Sequence, residues 1–100
     1  MSFAEFQQSL THDAVAPAGL SGALQALWHD ARGDWDRAHA CAQAETGPAG
    51  SWVHAYLHRK EGDRGNAGYW YARGRRPQPA EGAALAGEWA EIAAALLGEQ

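Results

Sequence analysis

Apolar residues in this chain recur three and four positions apart, and no stretch alternates with a period of two, so the pattern predicts helices and no strand. "FAEFQQSL" carries Phe3, Phe6 and Leu10 on one face, with Ser2 placed to cap it. "THDAVAPAGL", with Pro17 and Gly19, reads as a connector. "GALQALWHDAR" then sets Leu24, Leu27 and Trp28 at helical spacing up to Gly33. Asp34 caps "WDRAHACAQAE", where Trp35, Ala38, Ala42 and Glu45 trace a stripe broken by Thr46-Gly47-Pro48. Ser51 offers a cap to "WVHAYLHRKE", stopped by Gly62, and Asp63 opens "RGNAGYWYARG", ended by Pro77 and Pro79. Last, "AEGAALAGEWAEIAAALL" carries Leu85, Trp89, Ile92 and Leu96 and predicts a long closing helix. The expectation is a single all-α domain of five to six antiparallel helices. Its hairpin units span about residues 21–45 and 50–75, with a closing helix at about 80–98.

The two units repeat. At an offset of 29 residues, Leu27 meets Tyr56, Trp28 meets Leu57, His29 meets His58, Gly33 meets Gly62, Asp34 meets Asp63 and Ala38 meets Ala67. A helix-turn-helix period of this size signals stacked hairpins. Glycine ends the first helix by taking the left-handed conformation, and the following aspartate accepts bonds from free amides at the start of the next. Alanine four residues on lets the two helices approach closely.

These corners, "GDWDRAHACAQ" and "GDRGNAGYWYARG", resemble the second half of the tetratricopeptide repeat. Ala26 and Ala55 match its small residue in the first helix, and Tyr71 and Gly74 match its later aromatic-small pair, whereas Ala42 and Glu45 match that pair poorly. The period is also shorter than the usual ~34 residues. Trp52 to Asp63, with Asn66, Ala67 and Tyr69 to Tyr71, is similar to a "WVHAYLHRKEGD…NA.YWY" signature in bacterial and fungal proteins with no assigned activity. The resemblance implies a fold rather than a chemistry. It also implies a groove lined by Trp52, Tyr56, Arg59 and Lys60 of the second unit and Leu27 and Asp30 of the first, aromatics and arginine being common interface anchors. The competing reading is that the last helix fills that groove.

Composition changes the picture only slightly. One hundred residues, 46% hydrophobic and 20% charged, suit one modest core. Cys41 stands alone, so no intrachain disulfide forms, and it reads as a small buried residue. "MSFAEFQQ" lacks a signal-like start, and no apolar run reaches the ~20 residues a membrane span needs, so a soluble cytoplasmic chain is expected. The net charge of −4 is uneven. Arg59, Lys60, Arg64, Arg73, Arg75 and Arg76 face only Glu61 and Asp63, giving residues 59–76 a charge of +4. That edge suits an acidic partner, while the overall acidity argues against general nucleic-acid binding.

The chain contains no Gly-x-Ser-x-Gly, phosphate-cradling loop or dinucleotide fingerprint, so no catalytic residue is assigned, and no cofactor is expected. His54 and His58 share one helical face, with Glu61 a turn beyond and His29 one repeat earlier; together these four could hold zinc. The repeat frame gives a plainer reading, with His29 and His58 at packing-aromatic positions and His54 at a packing-leucine position. Buried imidazoles of that kind bond to neighbours and lower stability in acid. "RGRRP" is either a solvated helix end or an anion clamp by Arg73, Arg75 and Arg76. Tyr71 is expected to pack inward, leaving Tyr69 or Trp70 partly exposed. The leading expectation is a non-catalytic adaptor that binds a protein partner through Trp52, Tyr56, Arg59, Lys60, Trp70, Arg73, Arg75 and Arg76. The alternative is a metal- or small-anion-binding domain using His29, His54 and His58 with nearby arginine and tyrosine. Two hairpins are few for an extended stack, which leaves homo-oligomers open.

Overall fold

A computed structural model describes residues 1–99 as six helices with no strand among them. They are α1 (Phe3–His12), α2 (Gly22–Ala31), α3 (Trp35–Ala44), α4 (Pro48–Lys60), α5 (Arg64–Gly74) and α6 (Leu85–Glu99). None is long and apolar enough to cross a membrane. Ser2 caps α1 with a full capping box, its hydroxyl taking the Glu5 amide while the Glu5 carboxylate takes the Ser2 amide. α4 starts three residues before Ser51 because Pro48, with its φ already fixed and no amide to satisfy, suits a first helical turn. The closing helix starts at Leu85 rather than near residue 80, since Pro79 and the left-handed Gly82 (φ 89°) hold the preceding segment out of the helix.

The two Gly-Asp corners are near copies. Gly33 and Gly62 lie at φ 82° and 92°. The amides of Asp34 and Asp63 reach back to the carbonyls of His29 and His58, both at 2.9 Å. Each aspartate side chain then accepts the amide three residues on, Arg37 at 3.1 Å and Asn66 at 3.2 Å. Two orphaned ends are thus satisfied at each corner by the same two residues. A β-carbon at either glycine would meet open space, so alanine there tests backbone strain alone. Gly33→Ala and Gly62→Ala are each expected to cost about 1–2 kcal/mol in urea unfolding, by similar amounts.

The α2–α3 and α4–α5 hairpins stack through α3 against α4. α6 crosses the other side onto α2 and α4, and α1 rests on α6. α4 is therefore central, and every residue from Gly50 to Arg59 is buried. Ala38 and Ala67 are fully buried, and so are Ala26 and Ala55. Trp89 ties the layers together by donating to the Leu27 carbonyl at 3.0 Å and stacking on Phe6 at 5.8 Å. The large apolar side chains left exposed among the described residues are Met1, Val15 and Tyr69, in three separate segments.

Candidate metal centre

The last helix enters the hairpin groove and leaves an open cleft of about 350 Å³ beside Asp30, Tyr56, Lys60, Leu85 and Trp89. α6 packs against its α2 and α4 walls, and the residues expected to line an open binding face serve the interior instead. The Tyr56 hydroxyl donates to Asp30 at 3.1 Å, and the Lys60 ammonium donates to the other oxygen of the same carboxylate at 2.9 Å. Arg59 pairs with Glu88 of α6 at 2.8 Å and also donates to the Ala83 carbonyl. Trp52 is buried, and the Arg76 guanidinium lies 3.9 Å from its ring centroid. Trp52, Tyr56 and Arg59 are thus corrected from groove residues to core residues. Lys60 is the one of the four that reaches solvent. The three arginines of "RGRRP" do not form one clamp. Arg73 lies over the Tyr69 and Trp70 rings, Arg75 takes the left-handed cap of α5 at φ 58°, and Arg76 covers Trp52.

A different cluster forms where α3 meets α4. Trp35 and His39 lie one turn apart on α3, and His54 and His58 one turn apart on α4. Trp35 fixes the register between the helices by donating its indole N–H to the Leu57 carbonyl at 3.0 Å. Its ring stacks on His39 (5.0 Å, 11° between planes), and Trp70 of α5 stacks on His54 (3.9 Å, 18°). Between these indoles, His39, His54 and His58 each offer a ring nitrogen, all within 4.8 Å of one another. His39 Nε2 and His54 Nε2 are 2.9 Å apart, close enough to share a hydrogen bond. His54 and His58 are buried and His39 half-buried.

The environment holds two of these rings, His39 and His54, uncharged. Burial, and then the potential charges of His39 and His58, push His54 down to about 4. Burial and His58 also lower His39, against the opposing pull of Glu61 and Asp36. At neutral pH both rings are uncharged, and the bond between their Nε2 atoms leaves a proton on one of the two and a lone pair on the other. His58 is oriented by its own hairpin, its Nδ1 lying 2.5 Å from Glu61 Oε1. A carboxylate accepts, so Nδ1 carries the proton and Nε2 carries the lone pair. The Asn66 amide nitrogen lies 3.4 Å from that Nε2.

Three imidazoles suit borderline ions such as zinc, copper, cobalt and nickel rather than calcium or magnesium, which take oxygen ligands. Zinc-nitrogen bonds of ~2.0–2.1 Å in a tetrahedron set the nitrogens about 3.3 Å apart. An ion held there would part His39 and His54 by a few tenths of an ångström and displace the proton between them. Glu61, read from sequence as a metal candidate, bonds to His58 Nδ1 and forms, with His58 and Asp63, a second grouping whose two carboxylates are exposed. Asp63 beside it is occupied in capping α5.

His29 is not part of this cluster. Its ring sits edge-on to Trp28 at 5.3 Å, in a cleft lined by Ala14, Val15, Ala16, Arg32 and Arg37. The error has a simple cause. Residues related by a stacking repeat point the same way from successive layers and do not meet. His58 looks back onto α3 of the first hairpin, while His29 looks back onto the connector before it. The third imidazole comes instead from His39, which sequence reasoning missed. Its signal was the Trp35–His39 turn on the face of α3 that the next hairpin covers. Neither a protein-family model nor a curated protein nor a solved structure matches this chain.

Proposed function

We propose that this chain is a small helical metal-binding module, a stack of tetratricopeptide-like hairpins that takes one late first-row transition-metal ion, zinc foremost, on His39, His54 and His58. The convergence of three imidazoles from two hairpins, one held by a carboxylate on its far nitrogen, supports the reading. The adaptor reading is weaker because Trp52, Tyr56 and Arg59 are spent on the core and Lys60 is tied to Asp30. An ion at this place would join α3 to α4 and so fasten one hairpin to the next.

Equilibrium dialysis against zinc, followed by elemental analysis, is expected to give one ion per chain. His39→Ala should lose it, because the half-buried His39 can be truncated without emptying the core. His29→Ala should keep it. A wild-type chain holding no more zinc, copper, cobalt or nickel than His39→Ala would sink the proposal.

A further inference from the structure

Resting on that metal reading, the donor set itself carries a consequence. Among the described residues, no fourth histidine, cysteine or carboxylate has a ligand atom within 4.8 Å of all three members. Cys41 follows His39 by two positions, which turns it about 200° away round the helix. Glu61 is engaged on His58 Nδ1, the nitrogen that diverges from the ligand side. His54 and His58 are 3% and 7% exposed, whereas His39, Trp35 and Trp70 are half-buried and Asn66 is exposed. The cluster thus meets solvent along the His39 edge, between two indole walls.

Structural zinc sites close with four protein ligands, whereas three protein ligands leave a position for water or another small donor. We infer that the metal held by His39, His54 and His58 keeps an exchangeable fourth coordination position, open to solvent and suited to a compact monoanion. Charge supports the ligand class. A divalent ion on three neutral imidazoles brings two positive charges, Glu61 on the back of His58 offsets one, and a single anion balances the rest. Trp35 and Trp70 lie flat against His39 and His54 and cover one face of each ring. The exchange is a substitution: the anion's donor pair forms a bond to the metal, the metal-water bond breaks, and one water leaves.

Cobalt(II) reports this directly, because its visible bands depend on coordination number and ligand identity. The full chain loaded with one cobalt is titrated with azide at neutral pH. The expected result is a saturable change in the visible spectrum at one azide per cobalt, unaltered in His29→Ala. Asn66 is the residue that could close the site, by turning its amide oxygen toward the metal in place of the nitrogen now 3.4 Å from His58. Cobalt bound by the wild type but indifferent to azide would overturn the inference and leave the metal site standing. A response confined to Asn66→Ala would overturn it too, naming Asn66 as the fourth ligand. Failure to load cobalt, or loading unaffected by His39→Ala, would overturn both the inference and the reading beneath it.

Discussion

Glu88→Ala is expected to lower the unfolding free energy by about 3–5 kcal/mol, the largest loss from a single polar truncation in this chain. The Arg59 and Glu88 side chains are each only 6% exposed. Glu88 takes the Arg59 guanidinium on one oxygen at 2.8 Å and the Tyr71 hydroxyl on the other at 2.5 Å. The Tyr71 phenol is pushed far up by burial and by that bond, so it stays a donor that needs an acceptor. Alanine at position 88 therefore leaves two buried groups unmet at once, a guanidinium and a phenol. It also frees α6 from α4 and α5, since Arg59 lies on α4 and Tyr71 on α5. Glu88→Gln keeps an acceptor for one partner and removes the charge, and should cost less than alanine. Arg59→Met with Glu88→Leu should cost less than Glu88→Ala alone, because an apolar pair leaves no buried charge unpaired. Urea unfolding of the four proteins checks the order. A Glu88→Ala loss under about 1 kcal/mol would mean that water reaches Arg59 and that the pair is a surface contact.

That network explains why the hairpins were readable and their groove was not. The corners were legible because everything that makes them is local: a glycine free to take positive φ, and an aspartate within three residues of the amide it caps. Helical periodicity likewise showed which face of each helix turns inward. It did not show which neighbour covers that face. Arg59 looks like a surface residue until Glu88, 29 positions later, is brought against it by α6. Lys60 looked free until Asp30, 30 positions earlier, took it. The charge count had the same blind spot, since it treats every arginine as exposed.

The histidine cluster divides along the same line. His54 and His58 were paired correctly because one turn of one helix fixes their relation, and Glu61 was placed on the right face by the next turn. The third ring depended on the register between α3 and α4, which a side chain sets, the Trp35 indole bonding to the Leu57 carbonyl. Repeat symmetry pointed to His29 because it records which positions are equivalent. Contact between layers joins positions that are not equivalent, and His39 corresponds to Gly68 at the same offset.

Lowering the pH from 7 to 5 should destabilise the metal-free protein, with His54 alone contributing about 2 kcal/mol. The sign follows from where the protons go. In the unfolded chain His54 titrates near the ordinary 6.5, while in the fold burial and the two neighbouring rings hold it down to about 4. Well above pH 7 neither state binds the proton and nothing is gained or lost. As the pH falls below 6.5 the unfolded chain takes up a proton that the folded one refuses, so stability drops progressively until about pH 4. His39, also lowered, acts in the same sense; the carboxylates that favour its protonation are Glu61 and Asp36. The shift of Glu5, which its capping bonds to Ser2 move downward, acts only below the carboxylate range, so pH 5 to 7 isolates the histidines. His54→Gln removes the titrating ring while keeping a polar side chain. Its own stability will be lower at every pH, yet its loss between pH 7 and 5 should be smaller than that of the wild type. Saturating zinc should flatten the wild-type curve above the pH at which the metal is released, because ligation already excludes the proton from His54. Parallel slopes for wild type and His54→Gln between pH 7 and 5 would show that His54 does not stay uncharged in the folded protein, and would count against the proposed metal capture.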